Sequence, residues 1–307
     1  MKAVVIGANW GLVHVYALRA AGVEVIALGG RSAQELQPLA AEHGIPCVVD
    51  SYAAVRALAP DLVSLATPAA AHLQGLQALR DLPVICEKPL LGQQGEAQAL
   101  LTLGDRLWVN YAFAFLPAAQ TLLALRGRLG RLHRVEMQCD YALPQSFTPQ
   151  QGWFEIGTHP LSFLTLLCGE PRWDRQSRRE GETLHCTLGG VPAVLRCQQR
   201  AQPQGTQQQG IAQRLALYCE AGLVELSGAF RLGQPWQYDA LRLNGQALCA
   251  ATPPGQDAWI QANQSSLATM VRQFAGELTP LQAVQAGVFP ACRAWPIDQL
   301  LIAAWQA

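Results

Sequence analysis

The chain has 307 residues, half of them apolar, with 22 basic and 22 acidic side chains and no formal net charge. A module that grips nucleic acid through its phosphates needs a basic excess, and a disordered chain needs a low apolar content, so both classes are excluded. The length predicts two domains, each large enough to bury its own core, and the low charge density favours association through an apolar interface.

The first half alternates short strands and helices. Residues KAVVIG form a β-branched run ended by glycine, followed by helical spacing over 13–21 and a second strand, VEVIAL. A helix over 35–43 closes at Gly44, and a short strand follows at 46–49. Helix 53–58, strand 62–66, helix 71–79, strand 84–86, helix 95–103 and strand 107–111 continue the pattern. Apolar strands alternating with helices predict an α/β domain over residues 1–115, a doubly wound parallel sheet covered on both faces. After a helix to about residue 125, period-two alternation over 133–141, 182–188, 193–199, 214–219 and 223–226 predicts a second α+β domain over 116–307 with an open, mostly antiparallel sheet. Helical stretches at 158–167, 267–275 and 290–305 accompany it, and the Gln- and Gly-rich segment 198–213 reads as a hairpin loop.

Nine cysteines lie singly, without C-x-x-C or zinc-finger spacing, which predicts reduced, mostly buried thiols and no metal centre. The N-terminus opens directly into a strand with no signal-peptide grammar, and no apolar run reaches about 18 residues. The expectation is a cytoplasmic protein that neither spans a membrane nor binds nucleic acid.

Four strand ends carry candidate chemistry. The first strand runs into Gly7-Ala8-Asn9-Trp10-Gly11-Leu12, a glycine turn that a dinucleotide pyrophosphate could approach at the following helix N-terminus. Asn9 stands where a second glycine is usual, and the loop is one residue short. The second strand ends in Leu28-Gly29-Gly30-Arg31-Ser32, with no carboxylate for a ribose 2′-hydroxyl and an arginine able to grip a 2′-phosphate, so NADP(H) is favoured over NAD(H). Thr67-Pro68 follows the fourth strand, with His72 in the next helix, and Cys86-Glu87-Lys88-Pro89 follows the fifth. Lys88 before proline is held extended and projects toward the ligand-binding edge of such a sheet, where it can serve acid-base work.

The order VVIGANWGLVH, SLATPAAAH, VICEKP and then Glu155-Ile156-Gly157-Thr158-His159 resembles the Gfo/Idh/MocA oxidoreductases along essentially the whole chain. That resemblance implies a Rossmann domain, a C-terminal domain whose sheet serves homodimer or homotetramer formation, and hydride transfer between NAD(P) and a small, sugar- or polyol-like molecule. It implies that Lys88 matches the family's catalytic lysine and His159 its acid-base histidine. Glu155 replaces the family's usual aspartate before the glycine, and Ser162 stands where a second aspartate is common. Trp153 and Phe154 precede the histidine as pocket walls or core.

A second resemblance is to the thiazolinyl imine reductases, through the short Gly-Ala-x-aromatic-Gly loop, Gly30-Arg31-Ser32, Glu42-His43-Gly44-Ile45-Pro46 and Trp108-Val109-Asn110. That branch implies imine reduction in a siderophore or peptide natural-product pathway, with a tyrosine as proton donor, for which Tyr111 is the local candidate. The cofactor contacts expected are Gly7, Asn9, Trp10, Gly11, Arg31, Ser32, Thr67, Pro68, His72, Glu87 and Lys88. Carbonyl chemistry, imine chemistry and a non-catalytic NADP-binding regulator remain the three readings.

Overall fold

The protein is described from a computed structural model covering residues 1–92, 100, 103–143, 147–200 and 209–307. The helix expected over 95–103 falls almost wholly outside the described residues.

The chain divides into two compact units. One holds residues 1–112 together with 263–295, and the other holds 113–262 with 296–307. In the first unit, β1 (Lys2–Ile6), β2 (Glu24–Gly29), β3 (Cys47–Val49), β4 (Leu62–Leu65), β5 (Val84–Glu87) and β6 (Leu107–Asn110) pair in parallel in the order β6-β5-β4-β1-β2-β3. Their residues Ala3–Ile6, Leu62–Leu65 and Val84–Glu87 are all buried, as expected of a sheet covered on both faces. Helices α1 (Asn9–Ala20), α2 (Ala33–Glu42), α3 (Tyr52–Ala57) and α4 (His72–Ala78) alternate with them. Ser32 and Ser51 cap α2 and α3 by accepting from Glu35 N and Ala54 N.

A boundary near 115 does not foretell that residues 263–295 return to the first unit. They return because the two-residue strand Phe289–Pro290 pairs antiparallel with the free edge of β6, and because helix Ala258–Phe274 hydrogen-bonds to the end of β6. That helix begins nine residues before the periodic stretch at 267. Its first half is rich in Gln, Asn and Ser, which hides the apolar period, and Asp257 Oδ1 accepts from Trp259 N at 2.9 Å and Ile260 N at 3.0 Å to start it.

The second unit carries a mixed, mostly antiparallel sheet. Its long strands are β7 (Leu132–Ala142), the hairpin β10 (Thr183–Leu188) and β11 (Val191–Gln199), and the hairpin β12 (Gly210–Cys219) and β13 (Gly222–Arg231). Short strands β8 (Pro171–Arg172) and β9 (Arg178–Glu180) extend one side, and β14 (Gln237–Tyr238), β15 (Leu241–Leu243) and β16 (Gln246–Cys249) the other. The segment read as a hairpin loop over 198–213 does not join paired strands. β7 lies between β11 and β12, parallel to the first and antiparallel to the second, so the two strands flanking the segment do not pair with each other. The composition signalled a loop, but only pairing decides which strands a loop joins. Its residues 201–208 lie outside the described ones.

All nine cysteines are free thiols, and burial pushes Cys168 and Cys186 up to about 12. Among the described residues no helix is long and apolar enough to cross a membrane.

Candidate active site

Strand order in the first unit reverses between β1 and β4, and an open α/β sheet binds ligands beyond the carboxyl ends of its strands at such a point. Gly7 follows β1 there. Its φ is +125°, its N–H donates to Gly29 O at 2.9 Å, and a Cβ at this position would lie 2.2 Å from Ala66 O. No side chain fits, so the turn leaves a cradle of bare backbone. α1 then starts at Asn9 with no side-chain cap and no acid in its first turn, which leaves its N-terminal N–H groups for an anion. Asn9 and Trp10 are exposed, whereas Gly11 is buried, where a Cβ would sit 3.3 Å from Val5 Cγ1. Replacing Gly7 by Ala is expected to cost about 2 kcal/mol through the combined backbone strain and overlap, read as a lowered urea midpoint.

At the end of β2, Gly30 packs against Leu36, and the Ser32 hydroxyl is committed to capping α2. Arg31 is exposed and holds no ion pair or side-chain hydrogen bond among the described residues. Thr67 follows β4 with its hydroxyl buried and unpartnered, and Pro68 beside it is exposed. A buried hydroxyl without a partner costs free energy unless a ligand or water meets it. The bare Gly7 turn, the uncapped helix start and the orphaned Thr67 hydroxyl therefore fit a dinucleotide. His72 is fully buried and acts as a brace: Nε2 lies 2.7 Å from Thr67 O, and Nδ1 lies 3.0 and 3.1 Å from Pro89 O and Leu90 O. Burial pushes its pKa down against these carbonyls, which favour the protonated ring. The histidine thus ties the loop after β4 to the loop after β5.

Lys88 stands just past β5, half-buried, and is one of only two lysines in the chain. The Glu87 carboxylate beneath it is buried. Its Oε1 lies 2.8 Å from His14 Nε2 and accepts from Asn110 Nδ2 at 2.7 Å, and its Oε2 accepts from the Lys88 backbone N–H at 3.3 Å. Burial alone would raise this acid. The hydrogen bond and charge of His14, then the Lys88 charge and the Asn110 amide, outweigh it and hold the carboxyl at about 2. With Glu87 ionised, His14 Nε2 is the donor of its pair. Tyr111, at the end of β6, is 1% exposed and packs edge-on against Phe289, ring centroids 5.1 Å apart.

In the second unit, the short helical turn Pro149–Gly152 runs through a π-helical turn, Trp153–Gly157, into helix Thr158–Cys168. π-turns within helices often mark functional sites. A Cβ on Gly157 would lie 2.5 Å from the Trp153 ring, so glycine lets the fully buried tryptophan lie across the turn that presents His159. Trp153 donates to Glu182 O at 3.1 Å, and both it and Phe154 belong to the core. His159 is half-buried, its ring edge-on to Trp259 at 4.7 Å, and Glu155 is half-buried four residues before it. Ser162 is fully buried and turns back on its helix, its hydroxyl donating to His159 O at 2.6 Å.

Residues 1–113 match the oxidoreductase family with an NAD-binding Rossmann fold, Gfo/Idh/MocA. The match covers the first 113 of the 307 residues. An oxidoreductase of Cordyceps militaris, cns1, is 37% identical over 95 residues, which is 29% of this chain and only 12% of that protein. An oxidoreductase of Agrobacterium radiobacter, solved with NAD+, L-tartaric acid and magnesium, superposes with a TM-score of 0.69 at 15% identity over 100% of this chain and 95% of that one. UDP-N-acetylglucosamine 3-dehydrogenase of Acidithiobacillus ferrooxidans gives a TM-score of 0.70 at 19% identity over 99% and 97%. At such identities the likeness is one of fold, and it extends over both units.

Sequence reasoning missed His14, Ser64, Asn110, Asn263 and Ser266 as one buried group. A signal existed for three of them. His14 shares the apolar face of α1 with Gly11, Val15 and Leu18, Ser64 interrupts the run LVSL, and Asn110 ends LWVN. A polar residue at a core position requires a buried partner.

Proposed function

We propose that the protein is an NADP(H)-dependent oxidoreductase that moves a hydride to or from the carbon of a small molecule's C=O or CH–OH group. The observation that supports this most is the family-matched strand edge, where a side-chain-free turn at Gly7, an orphaned Thr67 hydroxyl and Lys88 follow β1, β4 and β5 of one sheet. The dinucleotide, when bound, supplies the hydride chemistry. Gly7, Gly11 and the start of α1 would hold its pyrophosphate, with Asn9, Trp10, Thr67 and Pro68 beside it. Arg31 and the turn at Ser32 would meet a 2′-phosphate. Lys88 polarises the reacting heteroatom and exchanges its proton. His159 takes the acid-base role that its G-x-H setting carries in the family, and Glu155 orients it.

Titrating the protein with NADPH and with NADH, followed by cofactor fluorescence, tests the reading. NADPH is expected to bind about tenfold more tightly, and Arg31→Ala is expected to remove that preference, since a bidentate guanidinium–phosphate contact contributes about 1.5–3 kcal/mol. A preference for NADH in the parent would refute the 2′-phosphate role. Neither cofactor binding would refute the whole reading.

One observation favours an imine in place of a carbonyl. The residue three past His159 is a serine whose hydroxyl is spent on its own helix, so the carboxylate that would hold a polyol is missing. Turnover with a cyclic imine and none with sugars or inositols would decide for C=N reduction.

A further inference from the structure

The polar group behind Lys88 extends well beyond one ion pair. His14 Nδ1 lies 2.6 Å from Ser64 Oγ, and Nε2 meets Glu87. Asn110 Nδ2 donates both to Glu87 and, at 2.9 Å, to Asn263 Oδ1, while Asn110 Oδ1 accepts from Ser266 Oγ at 2.8 Å. Ser64, His14, Asn110, Asn263 and Ser266 are each no more than 2% exposed. Both amide hydrogens and the amide oxygen of Asn110 are used, so the network fixes its orientation. α1, β4, β5, β6 and helix Ala258–Phe274 therefore share one buried network, in which His14 and Asn110 hold the Glu87 carboxylate and the other residues hold those two.

A buried carboxylate is costly, and replacing such a pair with apolar residues often leaves stability unchanged or improved. Stability is thus a poor reason for a network of five elements to contain one. Glu87 instead adjoins the candidate catalytic group in two ways. Its Oε2 accepts from the Lys88 N–H, and its charge interacts with the Lys88 ammonium. The titratable groups that face it among the described residues are His14 from α1, His72 from α4 and Lys88 itself.

We propose that Glu87 is a positioning residue for Lys88: its buried carboxylate, clamped by His14 and Asn110, pins the Lys88 backbone and holds a negative charge beside the residue that carries the amine. His14 makes this clamp part of the helix that would hold the cofactor. The inference rests on the role given to Lys88 above, but its test does not need turnover.

Lys88 and Lys2 are the only lysines, so each molecule carries its own internal standard. Lys2 is exposed at the start of β1. Trace acetylation with acetic anhydride at pH 8, followed by mass spectrometry, gives the ratio of Lys88 to Lys2 modification, and only the unprotonated amine reacts. Glu87→Gln is expected to raise that ratio at least threefold, and Glu87→Asp, which restores the charge, to bring it within twofold of the parent. If Glu87→Gln does not fold, the pair Glu87→Met with His14→Leu removes the charge and its donor together and is expected to give the same rise. An unchanged ratio in a folded variant lacking the charge overturns the proposal. A raised ratio with turnover that survives Lys88→Ala supports the clamp and discards the catalytic role. A flat ratio with turnover abolished in Lys88→Ala does the reverse.

Discussion

Replacing Lys88 by Ala is expected to lower kcat/KM by about 10²–10⁴, the range contributed by a positioned acid-base group, while NADPH binding stays within about threefold of the parent. In the proposed mechanism the loss falls on the chemical step, because the amine would act on the reacting heteroatom while the dinucleotide would be held chiefly by the bare Gly7 turn and the uncapped start of α1. Lys88→Arg preserves charge but cannot give up its proton, so it is expected to lose nearly as much. The check is steady-state kinetics beside cofactor titration on the same preparations. Turnover that persists in Lys88→Ala would remove the lysine from the mechanism. Tight NADPH binding with no turnover on carbonyl, alcohol or imine panels would favour a regulator built on the same domain, since fold alone does not fix function.

Acid should destabilise the protein through Glu87 in a defined window. Its carboxyl is held at about 2, against an ordinary value of 4.5 in the unfolded chain. A depressed acid contributes stability that is fully present above 4.5 and is lost as pH falls through 2. The displacement is worth about 3 kcal/mol. In urea unfolding of the parent and of Glu87→Gln, the difference in stability is expected to shrink by about that amount between pH 6 and pH 2. A difference that does not change with pH would mean that Glu87 is not held ionised in the folded protein.

How far these features can be read from sequence depends on the range of the interaction that makes them. The Gly7 turn and the alternation of apolar strands with helices over β1–β6 depend on residues a few positions apart, and on a burial pattern so continuous that it admits one reading. Lys88 and His159 stand out in the sequence as candidates because their settings, E-K-P and G-x-H, are local. Glu87 stands out beside Lys88 in the sequence, but its hydrogen-bond partners do not. Nothing near it in the chain reveals that His14, 73 residues away, and Asn110, 23 residues away, supply its donors. His72 reads from sequence as a cofactor contact, yet its ring nitrogens meet Thr67 O, Pro89 O and Leu90 O.

The sequence by itself determined an α/β domain with a glycine turn at its first strand, a second unit of mixed α and β structure, and the residue types available for hydride-transfer chemistry. Periodicity, glycine and proline are local properties, and they need no partner to be read. The tertiary structure alone decided that residues 263–295 rejoin the first unit, that β7 separates β11 from β12, and that five elements share the buried network around Glu87. These outcomes turn on strand edges finding partners and buried polar atoms finding hydrogen bonds. Both requirements are met across long stretches of chain, where the order of residues carries no mark of which partner will be chosen.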